Sequence, residues 1–203
     1  MLISYKNFII RGTDMEKKVD RRVKYTLMVI KNSFIKLLKE KSISKITIKE
    51  ICEEADINRA TFYAHFRDQQ DLLHQIESDV MKDIKQFLKS YDFDKNILYP
   101  IDATEKILEY IGENAELFSL LLNSNGDIKF HQEVIDIIGK QHFIPIMDSD
   151  TLKDDDKEYI FHFLACGAVG SIQMWLNDGM KKPAREMAEL ILKTAVNGRS
   201  SFL

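Results

Sequence analysis

Cysteine, proline and glycine are all scarce in this chain: two, three and eight in 203 residues. Two cysteines cannot build the disulfide framework of a small secreted domain, and no paired-cysteine spacing offers a zinc site. Cys52 and Cys166 both fall in apolar helical patterns and read as small buried residues of a reducing compartment. So few prolines and glycines leave room for long helices. No uninterrupted apolar run reaches the roughly 18 residues of a membrane span. The most apolar stretch, 159–176, is broken by His162, Gly167, Gly170 and Gln173. Residues 1–10 lack a signal-peptide pattern, so the expected location is cytoplasmic, with no membrane partner. A glycine-rich phosphate loop is absent, and no Ser/His/Asp arrangement stands out. The expectation is therefore a protein that is not an enzyme and needs no cofactor. His162 and Cys166 stand four apart on one helix and with His131 or His142 would seat a metal. Packing of Cys166 in a core is the ordinary reading, and no metal site is expected.

What the chain does have is a 45% hydrophobic composition, enough for a substantial core, and a lopsided charge. Residues 15–67 carry 13 Lys and Arg against 7 Asp and Glu, while 91–203 carry 11 against 19. A basic head on an acidic body suits a nucleic-acid-binding module joined to a separate partner-binding domain.

The head holds the most specific local pattern. Thr47 followed by Glu50 is a capping box, and losing such a cap costs about 1 kcal/mol. Ile48, Ile51, Cys52 and Ala55 then make one buried stripe on a two-turn helix. Asp56 stands at a tight turn and Ile57 should plug the core there. Asn58 caps a second helix running from about Arg59 to Phe66. Phe62 and Phe66 share its inner face. Ala60 and Ala64 fall on the opposite face, with Thr61 and Tyr63 beside them and Arg59 leading. Small outward residues let a helix backbone approach another surface. Arginine pairs with guanine, methyl groups pack on thymine, and Tyr or His bonds phosphate. Upstream, residues 22–40 form an amphipathic helix with Val23, Leu27, Ile30, Phe34 and Leu37 as its stripe and Met28 and Leu38 beside them, expected to pack on Ile51, Phe62 and Phe66. Lys17, Lys18, Arg21, Arg22 and Lys24 cluster at its start. Residues 1–14 fit no stripe and read as a poorly structured extension, with Met15 as an alternative start.

Beyond the head, residues 68–90 read as one long helix with Leu72, Leu73, Ile76, Val80, Ile84, Phe87 and Leu88 inward. Helices are expected over 101–114, 115–123 and 128–142, with a turn at 123–127 and an acidic loop over 145–156. Residues 157–177 are apolar nearly all round, as in a helix buried on more than one side. Its small Gly167, Ala168, Gly170 and Ser171 permit close helix approach. Pro183 starts the last helix, with Met187, Leu190, Ile191, Thr194 and Ala195 as its stripe.

The run from Glu53 to Leu72, with its Thr61-Phe62-Tyr63-Ala64-His65-Phe66 core, resembles the DNA-binding domain of the tetracycline-repressor (TetR) family. The resemblance implies an all-α fold of about nine helices. A three-helix helix-turn-helix domain over 15–72 would precede a larger effector-binding and dimerisation domain over 73–203. It implies that Thr61 and Tyr63 enter the major groove, that Tyr63, His65 and Thr47 touch phosphate, and that Gln69 occupies the usual place of a phosphate-binding lysine. Arg59, Ala60 and Ala64 complete the expected DNA-binding face. The family usually has glycine where this chain has Asp56. The last two helices would form a four-helix bundle in a homodimer, through Gly167, Gly170, Trp175, Leu190 and Ile191. The implied function is a ligand-responsive repressor on a palindromic double-stranded DNA operator. The small-molecule effector would sit among Phe87, Tyr91, Tyr110, Phe118, Phe130, Met147, Phe163 and Met174. A helical ligand- or partner-binding protein without specific DNA binding is the alternative, and an all-helical metal sensor a second.

Overall fold

A computed structural model describes residues 21–89, 99–122, 128–138 and 154–200. Expectations placed on residues 1–20, on the 123–127 turn, on 139–153, and on the side chains of Phe87 and Leu88 lie outside these. The described residues form nine α-helices and a short 3-10 turn, with no strand among them: α1 (Arg21–Glu40), the turn Ile43–Lys45, α2 (Ile48–Glu54), α3 (Arg59–Tyr63), α4 (Gln69–Lys89), α5 (Tyr99–Glu113), α6 (Ala115–Leu122), α7 (Ile128–Ile138), α8 (Asp154–Asn177) and α9 (Ala184–Ser200). The chain divides into two compact units after Asp83, within α4.

In the first unit, Ile30, Phe34 and Leu38 of α1 are buried together with Ile51, Phe62 and Phe66, and with Leu72, Leu73, Ile76 and Val80 of α4. The buried stripe of α1 leans towards the flanking Leu38, while Val23, Leu27 and Leu37 are half-buried. Lys31 of α1 also pairs with Asp79 of α4. Each of these side chains recurs at three- or four-residue spacing, so one face of each helix is removed from water. A fully buried aliphatic or aromatic side chain contributes about 1.5–3 kcal/mol.

In the second unit, α5 and α9 pack along one another. Arg185 of α9 reaches two carboxylates of α5, Asp102 at 3.2 Å and Glu105 at 2.8 Å. These exposed pairs fix register more than they add stability. Gly112 marks a close approach: a Cβ there would meet Met180 Sδ at 3.2 Å and the Trp175 ring at 3.5 Å. α8 ends just after Trp175, through Gly179 and Met180, both in left-handed conformation (φ 73° and 56°). The Met180 amide donates to the Trp175 carbonyl at 2.8 Å, and the Trp175 indole donates to the Lys182 carbonyl, also at 2.8 Å. Side chains from two other helices cap the end of α6. His131 bonds the Leu121 carbonyl at 2.9 Å, and Gln173 donates to that of Leu122. These are the orphan carbonyls that a helix C-terminus leaves.

Two boundaries and two faces differ from expectation. α3 stops at Tyr63 rather than Phe66, because the His65 and Phe66 amides both turn back onto the Phe62 carbonyl, at 3.0 and 2.9 Å. Phe66 nevertheless stays buried. α8 begins at Asp154, inside the anticipated acidic loop. α7 is described only to Ile138. The buried positions of α9 are Met187, Ala188, Leu192 and Ala195, so Leu190 and Thr194 point outward instead of inward. Cys166 is exposed, not buried, because it lies on a side of α8 that the chain leaves uncovered. Finally, α8 is long and apolar enough to cross a membrane, despite its interrupting polar residues. Its Ala165, Ala168, Ile172, Trp175 and Leu176 are buried.

Candidate nucleic-acid interface

The interface is built on α2 and α3. α2 starts at Thr47 with a complete capping box. The Thr47 hydroxyl accepts from the Glu50 amide at 3.3 Å, and Glu50 Oε2 accepts from the Thr47 amide at 2.9 Å. The Thr47 hydroxyl also donates to Glu50 at 2.8 Å. Lys41 pairs with the other carboxylate oxygen. The Lys41 and Thr47 hydrogen bonds hold the Glu50 carboxyl down at about 2, from an ordinary 4.5. A depressed carboxylate pKa contributes stability that is complete above about pH 4.5 and is lost as pH falls towards 2. The melting temperature is therefore expected to fall across that window, and Glu50→Gln to fall less. Calorimetry of both proteins between pH 5 and 2 checks this; equal slopes would refute it.

The turn uses Asp56 at φ 50°, the left-handed conformation for which glycine is the usual choice. The Ile57 amide closes back onto the Cys52 carbonyl at 3.0 Å, and Ile57 itself is half-buried. Asn58 then caps α3. Its Oδ1 accepts from the Thr61 amide at 2.7 Å and from the Thr61 hydroxyl at 3.0 Å. Burial pushes the Cys52 thiol up, with the charge of Arg59 opposing it only in part. A thiol held protonated is a poor redox sensor. The cation acting on it is Arg59, while Lys49 pairs with Glu53 at 3.6 Å.

α3 separates its faces as the sequence suggests. Phe62 is fully buried and Phe66 nearly so, their rings 5.7 Å apart. Arg59, Ala60, Tyr63 and Ala64 are exposed, while Thr61 and His65 are half-buried. The Tyr63 ring stands edge-on to Phe62 at 5.8 Å and 85°, which braces an otherwise exposed side chain. Gln69, the first residue of α4, is half-buried. Two carboxylates occupy the amides beside it. Asp68 accepts from the Asp71 amide at 2.8 Å, and Asp71 accepts from the Arg67 amide at 2.9 Å. Arg67 also pairs with Asp71 through its guanidinium, and the Arg67 amide first, then this pairing, hold that carboxyl below its ordinary range. Sequence reasoning missed this Arg67–Asp71 clasp, although the four-residue spacing signals it.

A second exposed surface lies on α8 and α9. Tyr159 and Phe163 are each 78% exposed, Met174 66%, and Leu190 48%. Nothing lies within 4 Å of a Cβ added at Gly167 or Gly170. Ile191 is half-buried against Ala168 and Ala195. Trp175 does not belong to this surface. It is 6% exposed, sealed in its own chain by α5 and the α8–α9 connection. Nor do Phe163 and Met174 line an interior pocket, since both point out. Phe118 and Phe130 are buried, and Tyr110 meets Phe118 edge-on at 5.7 Å. Tyr91 and Met147 lie outside the described residues. His162 and Cys166 are both exposed, and His131 is engaged at α6. Among the described residues no group of three His, Cys, Asp or Glu is placed to hold a metal.

Two family models match the chain: "Bacterial regulatory proteins, tetR family" over residues 35–76 and "Transcriptional regulator C-terminal region" over 99–197. Together they take in more than two thirds of it. A relative in Bacillus subtilis (strain 168), the uncharacterized HTH-type transcriptional regulator YxbF, is 24% identical over 156 residues, 73% of this chain and 39% of that protein. The chain thus spans about two fifths of that curated relative's length. Among solved structures, a TetR transcriptional regulator from Streptococcus agalactiae 2603V aligns with a TM-score of 0.65 at 22% identity, over 87% of this chain and 96% of the other. The dihydroxyacetone kinase operon activator DhaS aligns with a TM-score of 0.57 at 19% identity, over 87% and 97%. Identities this low show a shared fold.

Proposed function

The chain belongs to the TetR family of bacterial transcriptional regulators, and from that premise we propose that it is a cytoplasmic, ligand-responsive repressor binding a palindromic DNA operator as a homodimer. The observation that carries this reading is the division of α3: Phe62 and Phe66 buried, with Arg59, Ala60, Tyr63 and Ala64 exposed along one short helix. An α-helix fits the major groove, and small residues on its outer face let its backbone come close to the bases. Arg59 reads guanine, Thr61 and the two alanines pack against thymine methyls, and Tyr63 and His65 bond phosphate. The exposed α8/α9 surface supports the dimer, α8 and α9 of each copy making a four-helix bundle around Gly167 and Gly170. Two copies then present two α3 helices to half-sites about 34 Å apart. An effector held by the second unit alters DNA affinity only as far as it prefers one state of the dimer.

Selection of bound sequences from random DNA by the purified protein tests the reading, with and without a panel of small molecules. A palindromic consensus is the expected outcome. No enriched sequence, together with a weak salt dependence, would instead indicate a helical ligand- or partner-binding protein. DhaS shares the fold and is named an activator, so a reporter fused to the selected site decides the sign of regulation. On that site, Thr61→Ser, which removes the methyl and keeps the hydroxyl on Asn58, and Tyr63→Ala should each weaken binding by about 1 kcal/mol or more. Tyr63→Phe, which keeps the ring against Phe62, isolates the hydroxyl. Unchanged affinity in gel-shift titrations at fixed salt would count against the assigned face.

A further inference from the structure

The segment 41–67, which holds the helix-turn-helix, contains five lysines and arginines: Lys41, Lys45, Lys49, Arg59 and Arg67. Three are paired with carboxylates of the same unit, Lys41 with Glu50, Lys49 with Glu53 and Arg67 with Asp71. Lys45 and Arg59 are exposed and have no carboxylate within ion-pair reach among the described residues. Arg59 opens α3 and faces the bases in the reading above. That leaves Lys45.

The backbone beneath Lys45 is fixed on both sides. Its amide donates to the Ser42 carbonyl at 2.9 Å, and the Ile46 amide to that of Ile43 at 3.1 Å. Ile46 is 2% exposed and ties the turn to the core. Thr47 follows at once with its capping box. Ser42 and Ser44 lie on the same turn, their hydroxyls 3.1 Å apart and exposed. Besides Tyr63 and His65, two places are expected to contact phosphate, and both are encumbered. The Thr47 hydroxyl already donates to Glu50, so it has no proton to offer a phosphate oxygen. At the start of α4, Gln69 is neutral and half-buried, and Asp68 and Asp71 place carboxylates where a phosphate would come.

We propose that Lys45, displayed on the rigid Ile43–Lys45 turn beside the Ser42 and Ser44 hydroxyls, supplies the helix-turn-helix cation for the DNA backbone phosphate, in place of the start of α4. The proposal rests on the DNA-binding reading. A lysine is suited to the role as a point charge on a flexible stem that needs no fixed fork geometry. Each neutralised phosphate contributes a slope of about −0.9 to log K against log salt on duplex DNA.

The test uses the full-length protein and the selected operator, titrated at several salt concentrations. Lys45→Ala should flatten the slope by about 0.9 and weaken binding to specific and random duplex alike, leaving sequence preference unchanged. Lys45→Arg should restore the slope, which a merely structural role for the lysine would not require. Arg67→Ala should leave the slope as it is, and Asp71→Asn, which releases Arg67, should steepen it. An unaltered slope in Lys45→Ala, or a flattened one in Arg67→Ala, overturns the assignment while the DNA-binding reading stands. A wild-type protein that selects no sequence and shows no salt dependence overturns both.

Discussion

Replacing Phe163 by glutamate is expected to yield a folded monomer that binds the full operator about 10²–10⁴-fold more weakly than the wild type. Phe163 is 78% exposed in the single chain, so its loss removes almost no packing from that chain. Its neighbours on the same side of α8 are Tyr159 and Gly167, one turn to either side, the first also 78% exposed. Leu190 and Val196 add exposed apolar surface on α9, at 48% and 46%. Soluble monomers rarely leave so much apolar surface in contact with water, and a second copy of the same surface is the symmetric way to cover it. A carboxylate at position 163 would be buried without a cation on each side of the two-fold axis, and desolvating an unpaired charge costs several kcal/mol. Binding at the second half-site is intramolecular in a dimer, at millimolar effective concentration, and the monomer forfeits that gain. Sedimentation velocity gives the assembly state, circular dichroism the fold, and gel shifts on full and half operators the affinity. A variant that stays dimeric would show that the subunits meet elsewhere. A monomer that keeps full-operator affinity would show that binding does not depend on pairing.

The head was readable from sequence because its determinants are local. A capping box, a cap at Asn58 and a phenylalanine pair four residues apart each need only one turn of helix to be recognised, and each stands where the spacing put it. What escaped was the occupancy of donors. Nothing in the string says that the Thr47 hydroxyl has its proton on Glu50, or that Arg67 closes on Asp71, because both depend on rotamers that the fold selects. The body was less legible for a different reason. α8 is apolar on most sides, so its periodicity carries no phase. Which side is covered is decided by the helices packed on it. That decision sends Trp175 inward and Cys166 outward. In α9 the series through Leu190 and Thr194 and the series through Ala188 and Leu192 both repeat at four residues, and only packing picks the second as buried. The apolar positions that failed as core residues, Phe163, Met174 and Leu190, are those the proposed dimer needs.

Phe62→Ala is expected to destabilise the first unit by about 3–5 kcal/mol, the usual cost of emptying a buried phenylalanine site. The ring is fully buried and touches the rings of Phe66 and Tyr63. Its own carbonyl receives the two amides that end α3. The cavity would therefore open under the turn that aims Tyr63 and His65, and little else is placed to fill it. Domains have total stabilities of only about 5–15 kcal/mol, so this loss consumes a large part of what a small head has. The expected picture is an early unfolding transition for the head, absent from the wild type, with operator binding abolished. The dimer should persist, since α8 and α9 belong to the second unit. Urea unfolding followed by far-ultraviolet circular dichroism resolves the two transitions, and sedimentation velocity confirms the dimer. Tyr63→Ala, one residue away, is the contrast. Tyr63 is 55% exposed and braced rather than buried, so that variant should lose DNA affinity with stability nearly intact. If Phe62→Ala left the head within about 1 kcal/mol of the wild type, below even the smallest core truncations of this size, the phenylalanine pair would not be the support on which the reading face rests.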